Sequence, residues 1–492
     1  MKLQETLKGL EYKCIHGDIE TEINNIAYDS RKVNQGDVFV CISGYKTDGH
    51  QYIESALNNG AGALIVDKEI SQDISSAATI IKVSDSRMAL SKMSANYFLN
   101  PTEDMNIFGV TGTNGKTTIT YMIKQILEAS GINCGIIGTI SYKIGTAEYS
   151  SSNTTPESYE LHRMFKEMKE SHIEACAMET SSHALSLSRV DDVNFNYGIF
   201  TNLTPDHLDF YNDLDSYFEA KKKLFYLTKK ANMINIDDTY GKRLAASLKG
   251  IETPVFTYGI ENESDFKAEM IEATQRWNKF DIVYKGNVLG SIKVPIPGLF
   301  SIYNALAAAG ICFIAGIDFE NIKRALENMT GVPGRFEVVP NNKDILVIVD
   351  YAHTPDALEK VIKTANEFKK GRLICVFGCG GDRDRTKRPR MAQISCRLAD
   401  HTIITSDNPR SEDLMQIIDD MESGIKNTDA SYEIIADRYE AIKRAVEICQ
   451  KNDMILIAGK GHETYQIIGN KTFHFDDREV AKEIINSCNQ GV

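Results

Sequence analysis

A glycine-rich loop between a predicted strand and a predicted helix constrains this chain more than any other feature. Residues 107–118 read IFGVTGTNGKTT, where MNIFGV predicts a buried strand and TTITYMIKQILEAS predicts a helix. Glycines let backbone N–H groups converge on phosphate oxygens, and the start of a helix adds positive potential. A lysine suits β- and γ-phosphates, and a threonine hydroxyl suits Mg²⁺. The sequence therefore predicts an α/β domain with a nucleotide-phosphate site formed by Gly112, Thr113, Asn114, Gly115, Lys116, Thr117 and Thr118.

The loop departs from the common pattern at one position. That pattern places a glycine five residues before the Gly-Lys pair, and this chain has Val110 there. An ordinary strand-to-helix turn is the competing interpretation. The strand before the loop and the helix after it favour the phosphate site.

Length and composition indicate a large globular protein. A chain of 492 residues is too long for one core and suggests three domains at about 150 residues each. With 42% hydrophobic and 25% charged residues the chain is typical of globular proteins. Its net charge of −13 argues against nucleic-acid binding, which needs a basic surface.

Cysteine usage and the apolar segments predict a cytoplasmic location. The 10 cysteines are scattered without a CxxC pair, which favours reduced thiols. The first residues, MKLQETLKGLEYKC, lack the apolar core of a signal peptide. The longest apolar run, Ala305–Ile317, is too short to span a bilayer, so we predict no membrane insertion.

The chain divides into three parts, each predicted to alternate strands and helices. Residues 1–100 contain GDVFVCI, GALIVD and ATIIKV and predict a small α/β domain. Residues 101–333 continue through CGIIGTI, EACAMET and NYGIFTN and end at the turn-rich TGVPGR. Residues 334–492 repeat a strand followed by a polar loop: ILVIVDYAHTP, RLICVFGCGGDRDR, HTIITSDNPR and DMILIAGKGHE. Ligands bind beyond the carboxyl ends of parallel strands, so we expect functional groups in those loops.

Three side chains of the central part suit phosphoryl transfer. Glu179 follows the buried-strand pattern EACAM, and His207 lies just past another strand, in TNLTPDHLDF. A carboxylate and an imidazole there predict a second Mg²⁺ against the phosphates of ATP, although each alone is also compatible with a structural role. Lys221, in YFEAKKKLF, has the pattern of a solvent-exposed helix face.

Motifs along the whole chain resemble those of the Mur ligases. The matching blocks occur in order: DSR, TGTNGKTT, ETSSHAL, NLTPDHLDF, YFEAKKKLF, GLFSIYNALAA, GRFE, DYAHTPDAL, GGDRDRTKRP, DNPR and GKGHE. Variation at Val110 is normal in that family. The resemblance implies three α/β domains: a small N-terminal UDP-binding domain, a central P-loop ATPase-like parallel sheet and a C-terminal Rossmann-like sheet. DSR, DNPR and GKGHE narrow it to the ligases that add a diamino acid to UDP-N-acetylmuramoyl-L-alanyl-D-glutamate (UDP-MurNAc-L-Ala-D-Glu).

This resemblance also implies a reaction in peptidoglycan precursor synthesis. ATP would phosphorylate the side-chain carboxylate of D-glutamate, and the amino group of meso-2,6-diaminopimelate would displace the phosphate. An amine does not displace oxide from a carboxylate, so the phosphoryl group supplies the leaving group, and positioning and charge neutralisation do most of the rest. The expected cofactor is Mg²⁺. Carbon dioxide would convert Lys221 to a carbamate, an anionic oxygen ligand where an ammonium would repel the metal.

By the same resemblance, individual residues take expected roles. The expected catalytic residues are Lys116, Glu179, His207 and Lys221, and the expected metal ligands are Thr117, Glu179, His207 and carbamoylated Lys221. Asn304, Arg335 and Asp350 join the loop as ATP-binding residues, with a structural Arg335–Asp350 ion pair as the alternative. The expected UDP-sugar-peptide residues are Tyr28, Ser30, Tyr45, Lys46, Thr47, Asn153, Thr154, Thr155, Ser181, Leu187 and Arg189. Leu187 stands where some members of the family carry a glutamine. From pattern alone, a polar turn residue such as Ser30 also fits a structural role.

The DNPR block predicts the amino acid that is added. The strand HTIITS delivers this loop to the edge of a sheet, where Pro409 limits its freedom and the Arg410 guanidinium suits a carboxylate. Meso-diaminopimelate differs from lysine by such a carboxylate at its far end. The expected diaminopimelate residues are Arg388, Asp407, Asn408, Pro409, Arg410, Gly459 and Glu463.

Three alternatives stay open at this point. A lysine-adding ligase of the same family differs only in its amino acid. A folylpolyglutamate synthase shares the loop and the ligase chemistry, but has no use for the roughly 100 residues before the loop. A silent nucleotide-binding protein would tolerate loss of Glu179, His207 and Lys221, which are all present.

Overall fold

A computed structural model describes residues 1–44, 47–70, 78–151, 153–206, 210–426 and 428–487. The chain forms two compact units. The first unit comprises the described residues of Met1–Lys267 and Leu306–Ile322, and the second comprises Ala268–Ala305 and the described residues from Lys323 onward. Among the described residues, no helix combines the length and apolar character needed to cross a bilayer.

The first sheet lies in the N-terminal part of the first unit. Its strands are β1 Tyr12–His16, β2 Ile26–Ala27, β3 Val38–Val40, β4 Ala63–Val66 and β5 Thr79–Val83, and the helices there are α1 Leu3–Thr6, α2 Ile53–Asn58 and α3 Ser86–Tyr97. The order is β1-β5-β4-β3-β2, parallel except for β1. Because β3 and β4 are buried along their whole length, they carry continuous apolar runs rather than alternating ones.

The nucleotide loop belongs to a second sheet in the same unit. Its strands are β6 Asn106–Thr111, β7 Cys134–Ile137, β8 Ser141–Ile144, β9 Ala147–Ser150, β10 Ala175–Glu179, β11 Phe195–Phe200, β12 Ala231–Asn235 and β13 Val255–Gly259. These eight strands are part of an eleven-stranded sheet, in which their order is β13-β12-β11-β6-β10-β7-β8-β9. The strands from β13 to β7 are parallel, and β8 and β9 extend that edge antiparallel.

Helices cover this second sheet. They are α4 Lys116–Ala129, α5 Ser158–Glu170, α6 Ser182–Ser186, α7 Leu214–Lys222, α8 Leu224–Leu227 and α9 Thr239–Ser247. Their apolar faces bury a core that includes Phe165, Phe195, Phe200 and Phe225. Strand β14 Phe266–Ala273 pairs with β13 at Phe266 and Lys267.

The second unit contains a doubly wound sheet. Helices α10 Leu299–Ile314 and α11 Phe319–Glu327 have residues in both units, and hairpin β15 Asn278–Tyr284 with β16 Asn287–Val294 lies in the second. The sheet consists of β17 Glu337–Val338, β18 Leu346–Asp350, β19 Leu373–Cys379, β20 His401–Ser406, β21 Tyr432–Ile434 and β22 Met454–Ala458. A separate hairpin follows, β23 Tyr465–Ile468 and β24 Lys471–His474, and the helices are α12 Pro355–Phe368, α13 Lys387–Leu398, α14 Leu414–Glu422, α15 Arg438–Ile448 and α16 Asp477–Ser487.

The order in this sheet is β17-β18-β22-β19-β20-β21, and only β17 is antiparallel. Separate apolar clusters bury its two faces under helices. The four predicted strand-then-loop segments are β18, β19, β20 and β22, which are neighbours, so their loops emerge at one edge. The predicted α/β class with its parallel sheets is confirmed.

Candidate active site

The glycine-rich loop adopts a backbone that other residues would strain. Gly112 has φ +145°, and a Cβ there would lie 1.9 Å from the Thr201 hydroxyl oxygen. Gly115 has φ +87° and directly precedes α4. Gly112 therefore allows the loop to approach Thr201 at the end of the neighbouring strand β11. Gly115 allows the turn into α4, whose first residue is Lys116.

Two lysine side chains converge on this loop. The Lys116 Nζ donates to the carbonyls of Gly112 at 3.0 Å and Thr113 at 2.9 Å. From the last turn of α7, the Lys221 Nζ also donates to the Gly112 carbonyl, at 2.8 Å. Lys221 is only 2% exposed, so it is not the solvated helix face that its pattern suggested. Burial, and secondly the charge of Lys116, hold the pKa of Lys221 well below its ordinary value, opposed by Asp206.

Glu179 receives three hydrogen bonds at the end of β10. Its Oε1 accepts from the Thr117 hydroxyl at 2.9 Å and from the Thr139 backbone N–H at 2.8 Å, and its Oε2 accepts from the Thr139 hydroxyl at 3.1 Å. Strand β10 is the parallel neighbour of β6, which brings the carboxylate beside the start of α4. A role for Thr139 was not predicted, although its position just after the apolar strand pattern CGII is typical of a site residue.

The residues expected around the peptide end of the substrate adjoin Glu179. The Thr155 hydroxyl donates to the Glu179 carbonyl at 2.8 Å and accepts from the Ser181 N–H at 3.1 Å. The Thr154 and Thr139 hydroxyls are 3.1 Å apart. Arg189 donates to the Thr155 carbonyl at 3.1 Å. These residues therefore form one hydrogen-bonded cluster with Glu179, in which Thr155 contacts its backbone carbonyl and Thr154 reaches its carboxylate through Thr139.

Two other expected UDP-sugar-peptide residues, Asn153 and Leu187, make different contacts. The Asn153 carbonyl accepts from the Tyr142 hydroxyl at 2.6 Å. Leu187, partly buried, ends helix α6 and offers no polar group. Glu157 forms an ion pair with Arg189 at 2.7 Å, a contact that the sequence did not reveal.

Five of the expected UDP-sugar-peptide residues, Tyr28, Ser30, Tyr45, Lys46 and Thr47, belong to the N-terminal part of the chain. Ser30 begins a 3-10 helix and is 7% exposed. The Tyr28 hydroxyl donates to Glu160 at 2.8 Å, and burial raises the pKa of Tyr28 well above its ordinary value. The Thr47 carbonyl accepts from the Gly44 N–H at 2.8 Å. Tyr45 and Lys46, together with His207 of the expected metal site, lie outside the described residues.

In the second unit, Asp350 ends β18 and accepts backbone hydrogen bonds from Phe336 and Ala352, both at 2.8 Å. Burial raises the pKa of Asp350, and the charge of Arg335 opposes this. The Arg335 guanidinium lies 5.4 Å from the centre of the Tyr351 ring. Asn304, on α10, is 6% exposed.

Two loops of this unit bring the expected diaminopimelate residues together. Asp407, Asn408, Pro409 and Arg410 follow β20, Gly459 and Glu463 follow β22, and only β19 separates these strands. Asn408 Nδ2 donates to Glu463 Oε2 at 2.9 Å. Gly459 has φ +114°, a backbone conformation that L side chains rarely adopt, so this position favours glycine. Burial, and secondly the charge of Asp407, raise the pKa of Glu463.

Arg410 and Arg388 both hold the glycine pair that follows β19. Arg410 Nη1 donates to the Gly381 carbonyl at 2.8 Å, and Arg388 Nη2 donates to the Gly380 carbonyl at 3.3 Å. Arg388 is fully buried and forms ion pairs with Glu412 at 2.9 Å and Asp420 at 2.8 Å. In this arrangement Arg388 presents no surface to a ligand, and its direct contact with diaminopimelate stays a prediction. Glu412 was not singled out from the sequence.

Comparison with known proteins decides the family. The family descriptions "Mur ligase family, catalytic domain", "Mur ligase middle domain" and "Mur ligase, glutamate ligase domain" match residues 22–98, 110–312 and 334–461. A protein of Clostridium tetani (strain Massachusetts / E88), named UDP-N-acetylmuramoyl-L-alanyl-D-glutamate--2,6-diaminopimelate ligase, is 50% identical over 488 residues, 99% of each chain. The chain belongs to the Mur ligase family. Another relative with that name, from Clostridioides difficile (strain 630), is 46% identical over 99% of this chain and 100% of its own.

A solved Mur ligase structure agrees with the fold. The structure of a UDP-N-acetylmuramoyl-L-alanyl-D-glutamate--2,6-diaminopimelate ligase superposes on this chain with a TM-score of 0.73. The sequences are 32% identical, and 99% of each chain is covered. The similarity to Mur ligases therefore extends over the N-terminal residues 1–100 as well as the loop-bearing centre.

Proposed function

We propose that this Mur ligase is of the MurE type, an ADP-forming ligase that adds meso-2,6-diaminopimelate to UDP-MurNAc-L-Ala-D-Glu. Full-length relatives at about half identity, named for that reaction, support the substrate pair. The observation that carries the choice of amino acid is the loop Asp407–Arg410, joined to Glu463 through Asn408. The Arg410 guanidinium suits a carboxylate and the Glu463 carboxylate suits an ammonium, which are the two charged groups at the far end of diaminopimelate.

In the first unit, the loop would orient the γ-phosphate of ATP for transfer. The backbone N–H groups at the start of α4 and the Lys116 ammonium stabilise charge that develops on the phosphate oxygens. Lys116 is already directed along the loop by its two carbonyl contacts. The D-glutamate carboxylate attacks the γ-phosphorus, and the bond to ADP breaks. The amine then attacks the acyl phosphate carbon, loses a proton and expels inorganic phosphate.

The residues near the loop fit a magnesium ion. Thr117 and Glu179 supply a hydroxyl and a carboxylate 2.9 Å apart, the hard oxygen ligands that Mg²⁺ prefers. When bound, magnesium would neutralise charge on the phosphates. His207 keeps its expected role in this site as a proposal.

Lys221 suits carbamoylation. Attack on carbon dioxide needs a neutral amine, and burial beside Lys116 favours the neutral form of Lys221. The amine nitrogen forms a bond to the carbon of CO₂ and releases one proton, which leaves an anionic carbamate. That anion would be compatible with both Lys116 and a metal, whereas two ammonium groups repel each other.

The remaining contacts would hold substrates. Thr155, Ser181 and Arg189 present a hydroxyl, a helix start and a guanidinium beside Glu179, which suits the acidic peptide end of the UDP-sugar. The UDP-sugar-peptide roles of Tyr28, Ser30 and Thr47 are part of the same proposal. So are the ATP-binding roles of Asn304, Arg335 and Asp350.

Phosphate release, together with the mass of the nucleotide product, tests the proposal. Purified protein is incubated with ATP, Mg²⁺, UDP-MurNAc-L-Ala-D-Glu and one amino acid from a panel that contains meso-diaminopimelate, L-lysine and L-glutamate, and the nucleotide product is weighed by mass spectrometry. We expect a UDP-MurNAc-tripeptide with diaminopimelate. A product with lysine would assign the lysine-adding type. In a parallel incubation with a folate in place of the UDP-sugar, ligation of L-glutamate to the folate would overturn the proposal.

A further inference from the structure

Two lysines are buried among the described residues, and one of them has no role in the reaction set out above. Lys221 is the proposed carbamate, whereas Lys460 lies in the GKGHE loop after β22 and is 0% exposed. An ammonium group in a protein interior is unfavourable unless it is paired with acceptors or anions. The partners of Lys460 therefore indicate why the chain keeps a cation there.

Among the residues that the structure describes, Lys460 has three acceptors, and all belong to the diaminopimelate loops or to the hairpin that follows them. Its Nζ lies 3.4 Å from Glu463 Oε2 and 3.5 Å from Asn408 Oδ1, and it donates to the Tyr465 carbonyl. Asn408 in turn donates to the same Glu463 oxygen at 2.9 Å. Asn408 Oδ1 also accepts from the Ile467 N–H at 2.9 Å. One buried ammonium thus connects the loop after β20, the loop after β22 and strand β23.

Burial separates the two members of the Lys460–Glu463 ion pair. The Glu463 side chain is 15% exposed, and the Lys460 side chain is 0% exposed. A ligand that approaches from solvent can therefore contact the carboxylate but not the ammonium. Lys460 acts through Glu463 and Asn408 rather than on a substrate.

The charges around Glu463 explain why the pair is needed. Burial and the Asp407 carboxylate favour the protonated form of Glu463, and Lys460 and Asn408 favour the ionised form. The other groups that face Glu463 are Tyr351, Tyr465 and Arg438. Arg438 forms an ion pair with its own buried partner Asp477 at 2.7 Å, so within the described part of the chain Lys460 is the cation that bonds to Glu463 directly.

We propose that Lys460 is a positioning residue for the incoming diamino acid. From the interior of the second unit it holds Asn408 and Glu463 in one arrangement and keeps the Glu463 carboxylate anionic toward the far-end ammonium of the ligand. This inference rests on the proposed function, because it assigns Glu463 to the ammonium group of diaminopimelate.

The test compares Lys460→Met with Lys460→Arg and with Lys451→Met, an exposed-lysine control that is 74% exposed. For each variant, kcat and KM are measured for all three substrates, and kcat/KM for diaminopimelate is followed from pH 5.5 to 9. We expect the KM for diaminopimelate to rise at least about tenfold in Lys460→Met, with the other two KM values changed less than about twofold. The acidic limb of the pH profile should move to higher pH by about one unit, since the carboxylate has lost its cation. In Lys460→Arg, which keeps the positive charge, both the KM for diaminopimelate and the acidic limb should stay close to their wild-type values.

A substrate analogue separates positioning of Glu463 from general damage to the loop. 2-Aminopimelate keeps the far-end carboxylate but lacks the far-end amino group, so it makes no use of Glu463. Lys460→Met should reduce the preference for diaminopimelate over 2-aminopimelate at least about fivefold. Equal losses for both compounds, or an unmoved acidic limb, would overturn the inference.

The wild-type protein separates failure of the proposed function from failure of this inference, and a double variant addresses misfolding. If the wild type forms no diaminopimelate product, the proposed function fails and this inference fails with it; a normal wild type with unchanged Lys460→Met overturns the inference alone. If Lys460→Met does not fold, Lys460→Met/Glu463→Gln is tested by thermal unfolding. The inference expects the double variant to fold, because the unpaired carboxylate has been neutralised. A double variant that is equally unstable contradicts the pairing.

Discussion

At the scale of single residues, Lys116 gives the clearest test of the phosphate site. Lys116→Ala removes a charge at the first residue of α4 rather than volume from a core, so the melting temperature should stay close to that of the wild type. The rate of ATP-dependent amide formation should fall at least about a hundredfold, because a preorganised donor to the phosphates is lost. Coupled ADP release and thermal unfolding measure the two effects. Near-normal turnover would exclude the phosphate-binding role.

Lys221 is tested against its neighbour on the same helix. Lys221→Ala should be nearly inactive, and a short carboxylic acid such as acetate should restore part of the activity by replacing the carbamate oxygen. Lys222→Ala is the matched control, since Lys222 pairs with Glu219 at 3.4 Å on the solvent side of α7. Wild-type activity should also depend on added bicarbonate. Full activity of Lys221→Ala would mean that the lysine does not serve the metal site.

Residues at strand ends were predictable from the sequence, and their supporting partners were less so. Glu179 ends one apolar strand pattern and Arg410 lies in the loop after another, and the ends of parallel strands meet at one edge. Lys460 follows the same pattern, but its role depends on contacts with Asn408 from another strand end. Local pattern does not show which distant loop faces a side chain. For the same reason the sequence around Lys221 is typical of a surface helix, although the residue is buried.

At the scale of elements, the packing of α3 against α5 contains a buried titratable group, His162. His162 on α5 is fully buried, and neither of its ring nitrogens forms a hydrogen bond with any residue that the structure describes. Burial lowers the pKa of His162 to about 4. The folded state therefore holds a neutral ring while the unfolded chain takes up a proton near pH 6.5.

The predicted consequence is acid lability of this packing. The free energy of unfolding should be highest above about pH 6.5 and fall, by up to about 3 kcal/mol from this group, as the pH drops toward 4. His162→Leu should show a smaller fall over that range in urea unfolding, and the exposed-histidine control His16→Gln should behave as the wild type. A fall of the same size in His162→Leu would show that other groups cause the acid lability.

The sequence predicted the buried strands of both large sheets better than their edges. Apolar runs such as LICVFGC and ACAME correspond to β19 and β10, because a strand buried on both faces needs apolar residues throughout. The antiparallel β8 and β9 were not anticipated. β9 is exposed along its whole length, so burial imposes little pattern on its residues.

At the scale of the whole molecule, the order of the motifs predicted the family, whereas turn-rich stretches were a weaker guide to the domain limits. Blocks from the nucleotide loop to GKGHE occur in the order found in Mur ligases, and full-length relatives agree. The domain limits at residues 100 and 333 stay predictions. The two compact units divide within β14, α10 and α11, a division set by contacts between distant residues that local composition does not encode.

The choice of amino acid tests the central claim most directly. The measurement is the ratio of kcat/KM for meso-diaminopimelate to that for L-lysine, in the wild type and in Arg410→Ala, with UDP-MurNAc-L-Ala-D-Glu and ATP saturating. We predict a ratio of about a hundred or more for the wild type, since lysine leaves the Arg410 charge unpaired, and a ratio near unity for Arg410→Ala. Equal or better use of L-lysine by the wild type would contradict the account.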